Sequence, residues 1–126
     1  QRARLMLQDG TEVWLNANST LLYPSYFSGN KRRVTVTGEA FFNVAKNAKK
    51  PFIVSTRKIE MKVLGTKFNV YSYPESDYVR TSLIEGAVEV KSERAKVTLK
   101  PSEQATIRDG QMQVENITFS DYISFI

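Results

Sequence analysis

Apolar and polar residues alternate with a period of two through most of this chain. Val34 and Val36 alternate with Arg33, Thr35 and Thr37; Ile59, Met61 and Val63 with Lys58, Glu60 and Lys62; Val88 and Val90 with Glu89 and Lys91. Val97 and Leu99 oppose Lys96, Thr98 and Lys100, and Ala105 and Ile107 oppose Gln104 and Thr106. Successive side chains of an extended strand point to opposite faces, so each run predicts a strand with one face in a core and one in water. Turn-forming residues separate the runs at Asp9-Gly10, Ser28-Gly29-Asn30, Lys46-Asn47-Ala48-Lys49-Lys50-Pro51, Tyr73-Pro74-Glu75-Ser76-Asp77, Pro101-Ser102 and Asp109-Gly110. This spacing predicts an all-β domain of roughly ten to thirteen short strands. The expected architecture is an antiparallel β-sandwich or jelly-roll-like fold, with a β-solenoid-like arrangement as the alternative. Lys and Pro are expected to blunt the sheet edges. No segment carries a helical period; the best candidates for helix are a short turn at residues 25–28 and the tail from Ser120 onward.

Gly38, Gly65 and Gly86 fall at the ends or in the middle of β-runs. A missing Cβ there permits a bulge, a corner or a close backbone approach. No phosphate-cradling pattern surrounds them. A faint internal repeat links the Gly38-Glu39-Ala40-Phe41-Phe42-Asn43-Val44 run to Gly86-Ala87-Val88-Glu89-Val90, and Asp9-Gly10 to Asp109-Gly110. Such a repeat marks either solenoid coils or two ordinary hairpins.

Composition narrows the chemistry. With 126 residues, 41% of them hydrophobic and 25% charged, the chain has the size of one globular domain with a core. No apolar run reaches the ~18–20 residues of a membrane-spanning helix. Gln1 opens directly on an apolar-rich segment without an initiator Met, which reads as a piece of something longer. The chain has no Cys and no His, so disulfides, thiol nucleophiles, Ser-His-Asp triads and imidazole metal sites are out of reach. No cofactor, no metal and no enzymatic activity are expected.

The remaining candidates are weaker. Carboxylates occur in near pairs, Asp9 with Glu12, Glu75 with Asp77 and Glu115 with Asp121, but in turns or on the polar phase of strands, where solvated acids belong. The net charge of +5 includes two basic runs, Lys31-Arg32-Arg33 and Lys46-Asn47-Ala48-Lys49-Lys50. On one face with aromatic neighbours they would make a nucleic-acid footprint; both fall in predicted turns without interleaved aromatics, so no nucleic acid is expected and an acidic protein partner fits equally well. Trp14 lies off the phase of Val13 and Leu15. It is read as covered by a second sheet or by the loop carrying Tyr23, Pro24, Tyr26 and Phe27; the rival reading makes Trp14, Tyr23 and Tyr26 a stacking platform of a carbohydrate- or cell-wall-binding β-module. In the apolar-rich tail, Phe119, Tyr122 and Phe125 recur at i, i+3, i+6. That stripe is the candidate partner-binding site, seating either a further domain or partner or its own domain.

Several segments together resemble the FecR family of anti-sigma regulators. They are Asp9-Gly10-Thr11-Glu12-Val13-Trp14-Leu15-Asn16 with Leu21-Leu22-Tyr23-Pro24, then Gly38-Glu39-Ala40-Phe41-Phe42-Asn43-Val44, Pro51-Phe52-Ile53-Val54, Leu64-Gly65-Thr66-Lys67-Phe68-Asn69-Val70 and Glu85-Gly86-Ala87-Val88-Glu89-Val90. The resemblance covers about residues 9–109 and implies the periplasmic domain of a single-pass inner-membrane protein, the full-length protein being membrane-anchored. It further implies that the signalling domain of a TonB-dependent outer-membrane transporter is a partner. An extracytoplasmic-function sigma factor would be held through a cytoplasmic region absent from this chain. On this reading residues 1–115 are a FecR-type β domain, and residues 116–126 a linker and the truncated start of a C-terminal domain.

Overall fold

The computed structural model describes residues 2–117. The alternating runs become β1 (Ala3–Met6), β2 (Glu12–Leu15), β3 (Thr20–Leu22), β4 (Arg32–Asn43), β5 (Phe52–Ser55) and β6 (Glu60–Val63). The chain continues through β7 (Lys67–Ser72), β8 (Tyr78–Glu85), β9 (Val88–Lys91), β10 (Lys96–Leu99), β11 (Glu103–Arg108) and β12 (Gln111–Asn116). The fold is all-β, and residues 25–28 are irregular, bending at Ser25 and Tyr26, rather than a helical turn. The helix candidate from Ser120 lies outside the described residues.

The strands form one hydrogen-bonded network with two limbs that share β4. The seven-stranded limb runs β1-β2-β4-β7-β8-β11-β12 and the six-stranded limb β3-β4-β5-β6-β9-β10. Pairing is antiparallel apart from β4 with β5, where Arg32 stands beside Phe52. Ten residues of extended strand reach about 33 Å. Yet the ring of Phe42, ten residues past Arg32, lies 6.2 Å from the ring of Phe52. Strand β4 must therefore bend sharply, and the two limbs fold toward each other around one core, loosely a sandwich.

The bend is at Gly38. Its φ is +98°, a left-handed value that a side chain resists, and a Cβ there would lie 2.3 Å from Ser19 Oγ. Ser19 comes this close because its hydroxyl accepts the Glu39 N–H at 2.9 Å. Gly38 thus splits β4 into a half that pairs with β3 and β5 and a half that pairs with β2 and β7. Passage between the limbs recurs from β6 to β7 and from β8 to β9, where Gly65 and Gly86 approach each other; a Cβ on Gly86 would meet the Gly65 carbonyl at 2.9 Å.

The inward phase of both limbs is apolar. Phe42 and Phe68 are cross-strand partners whose rings stack at 5.2 Å, and both are fully buried with Met61, Leu83 and Val90. Two buried hydroxyls are paired within the fold: Thr81 Oγ1 donates to the Asn69 carbonyl at 3.0 Å and Thr66 Oγ1 to the Ala87 carbonyl at 3.0 Å. The hairpin from β11 to β12 turns through Asp109 and Gly110, both at positive φ, the two-residue turn that matches strand twist.

Candidate interaction surfaces

Arg32 is the main departure from the sequence reading, which placed the Lys31-Arg32-Arg33 run in a solvated turn. Arg32 and Arg33 belong to β4, and Arg32 is 1% exposed. Its guanidinium donates to Asp9 Oδ2 and the Ala45 carbonyl, each at 2.8 Å, to the Lys50 carbonyl at 2.7 Å and to the Leu64 carbonyl at 3.3 Å. It also lies 5.2 Å from the Phe52 ring. A planar fork with five N–H donors suits several carbonyls spread around one point. Arg32 therefore ties the loop between β4 and β5 to the β1–β2 turn, and Lys50 Nζ holds the same loop to the Phe27 carbonyl at 2.6 Å.

That loop walls a groove of about 410 Å³ on the outer face of the six-stranded limb. Lys31 and Lys49 lie on it with Lys62, Lys91 and Lys96, alongside Glu60 and Glu89; Pro51 and Ile53 supply apolar surface. Members of both basic runs thus do share one face, but no aromatic residue lines it. Lys62, Lys91 and Lys96 were not singled out from the sequence. Their signal was present as the polar phase of three separate strands, and only strand register brings them together: Lys62 opposes Glu89, Glu60 opposes Lys91, and Lys91 opposes Lys96.

The outer face of the seven-stranded limb is aromatic and polar. Trp14 does point away from the core; it is half-buried, 5.6 Å from the Phe41 ring, with the Arg4 guanidinium 5.8 Å above it. Its cover thus includes a cross-strand neighbour, Phe41. From the loop after β3, Phe27 packs on Phe52 at 5.8 Å while Tyr23 and Tyr26 are 46% and 63% exposed. Trp14 stands on one limb, and Tyr23 follows β3, an edge strand of the other. Further along, Tyr73, Tyr71 and Tyr78 form a ring series with centroids 5.2 and 5.1 Å apart, closed by Arg80 and Arg108 at 4.6 and 5.1 Å from Tyr78.

Burial raises the Tyr71 phenol above its ordinary value, with the charge and hydrogen bonding of Tyr78 acting in the same direction. Ionising it costs more in the folded protein than in the unfolded chain. Its contribution to stability is intact below about pH 10 and is lost as pH rises through the raised folded value. Tyr71→Phe is therefore expected to flatten the alkaline fall in stability. Urea midpoints measured for both proteins at about pH 9 and above pH 10 check this; parallel curves would refute it.

Four of the six near-paired carboxylates have a structural partner. Asp9 pairs with Arg32 and accepts the Thr11 N–H at 3.1 Å; Glu12 pairs with Arg4; Asp77 lies 3.6 Å from Arg108; Glu115 accepts from Gln104 at 3.0 Å. Asp121 lies outside the described residues, as do Phe119, Tyr122 and Phe125, the three rings singled out for partner binding. Among the described residues no group of acids is arranged to hold a metal ion.

The profile described as FecR protein matches residues 1–89, and the chain belongs to the FecR family. The whole chain is similar to a crystal structure of a proposed anti-sigma factor from Parabacteroides distasonis, with a TM-score of 0.95 and 37% identity, covering 99% of this chain and 60% of that one. A second crystal structure of a proposed anti-sigma factor from the same organism gives a TM-score of 0.90 at 39% identity, covering 93% of this chain and 56% of that one. The chain thus spans less than two thirds of the length of the proteins it resembles. No curated protein matches it.

Proposed function

We propose that this chain is the signal-receiving β domain of an anti-sigma regulator. The observation that carries the reading is FecR family membership joined to a fold shared, over nearly its full length, with a proposed anti-sigma factor. In this reading residues 1–115 form the periplasmic domain of a membrane-anchored protein, and residues 116–126 lead into a further domain. The signalling domain of a TonB-dependent transporter contacts it, and that contact releases an extracytoplasmic-function sigma factor held elsewhere in the protein. The work is done by protein contact, without catalysis.

The described edges suit such contact. Strands β1, β3, β10 and β12 each pair on one side only, leaving backbone donors and acceptors for strand addition. The test is binding between this chain and the isolated signalling domain of the transporter encoded beside it, with a longer form of the regulator in parallel. Micromolar or tighter binding by the chain is expected. Binding by the longer form alone would move the receiving surface off this domain, and binding by neither would refute the relay with that partner.

A further inference from the structure

We propose that the lysine-rimmed groove on the six-stranded limb docks an extended acidic segment of a protein partner. The proposal rests on the reading of this domain as a protein-contact module, and it names the surface and the chemistry of what binds.

Five lysines and two glutamates line the groove, a balance of +3 within a chain whose net charge is +5. More than half of the protein's charge excess is therefore gathered on one concave surface. Part of that gathering works against the fold. Lys91 and Lys96 are direct cross-strand partners, and like charges in that position are destabilising. Glu60, on the other side of Lys91, is engaged by Arg33 at 2.8 Å. Among the described residues none of the five lysines takes part in an ion pair. An anionic occupant would relieve the repulsion between Lys91 and Lys96.

The shape favours a peptide. The groove crosses the outward faces of β5, β6, β9 and β10 and adjoins a second hollow of about 520 Å³, sharing Ala48, Pro51, Lys62 and Glu89 with it. Leu64, 44% exposed, and Ala87 lie in that hollow. Apolar spots among separated cations match an extended chain that alternates carboxylates with small apolar side chains. Single-stranded nucleic acid would call for stacking rings, and none lines the groove. A continuous polyanion, whether a phosphodiester backbone or an anionic lipid surface, would also be set against Glu60 and Glu89.

The probe is an octapeptide alternating Glu and Val, titrated into the isotopically labelled chain and followed by amide NMR shifts, with a Gln-Val peptide and phosphatidylglycerol vesicles as comparisons. Shifts confined to the strands around Lys62, Lys91 and Lys96 are expected, weakening with salt as a screened charge interaction must. The variant Lys62→Glu/Lys91→Glu/Lys96→Glu should bind the acidic peptide at least about tenfold more weakly, the equivalent of about 1.4 kcal/mol. The variant Arg4→Glu/Lys67→Glu/Arg108→Glu, with the same net charge but altered on the other limb, should bind as the parent does. Equal loss in both variants, shifts mapping elsewhere, or binding of vesicles without binding of peptide would each overturn the proposal. The NMR map on the unaltered chain decides the matter even where a variant fails to fold. Retention of the transporter signalling domain by the groove variant would sink the groove and leave the relay standing; groove-mapped peptide binding with no binding of that domain would do the reverse.

Discussion

Arg32→Met is expected to destabilise the domain by about 3–5 kcal/mol, the range for removing one partner of a buried ion pair. The methionine matches the volume of the buried stem but supplies no donor. Asp9, whose side chain is 17% exposed, would keep its charge without its cation, and the carbonyls of Ala45 and Lys50 would lose their donor, while the Leu64 carbonyl would keep only the Asn47 N–H. An unpaired buried acceptor costs more than the net worth of the bond it made. Against a typical total stability of about 5–15 kcal/mol, the loss would bring urea unfolding close to ambient conditions. Arg32→Lys restores the charge but concentrates its donors at one point, so it should recover only part of the loss. Hydrogen exchange should also accelerate at residues 46–50, because Arg32 holds the loop that walls the groove. Retention of stability within about 1 kcal/mol by the Met variant would show that the hub is dispensable.

Gly38→Ala is expected to cost about 2–3 kcal/mol. Holding a non-glycine residue at left-handed φ costs on the order of 1–3 kcal/mol, and the added methyl would stand 2.7 Å from Ser19 Cβ and 2.8 Å from its Cα. Because the backbone of Ser19 is itself in the way, rotating its side chain gives no relief; the loop between β2 and β3 must shift, weakening the Glu39 N–H bond to Ser19. Gly38→Val should be worse, since a β-branched residue tolerates positive φ least. Equilibrium unfolding in urea measures both. An alanine variant as stable as the parent would mean that β4 does not need glycine to pass from one limb to the other.

Most strands were legible because alternation is a local property. Val34 and Val36, or Ile59, Met61 and Val63, announce their buried face whatever they pair with. The bend in β4 was half legible: the sequence marks Gly38 as a special backbone position but reads the residues on either side as separate runs. Whether one strand continues through it depends on Ser19 and on partners on both limbs. The burial of Arg32 escapes the sequence for a related reason. A basic residue between Lys31 and Arg33 looks solvated, and nothing local announces that Asp9, Ala45, Lys50 and Leu64 will converge on it.

The groove shows the same division. Lys62, Lys91 and Lys96 each occupy the water-facing phase of their strand, as their positions dictate; that they face one another is a matter of register among β6, β9 and β10. By itself, then, the sequence determined most of the strands with their inward faces, most of the turns and the family. The tertiary structure alone decided which strands are neighbours, where the chain changes limb, which cation is buried and which are gathered into a groove. The physical reason is that side-chain phase follows from the chain's own geometry, whereas pairing and register are chosen by interactions between residues far apart in sequence.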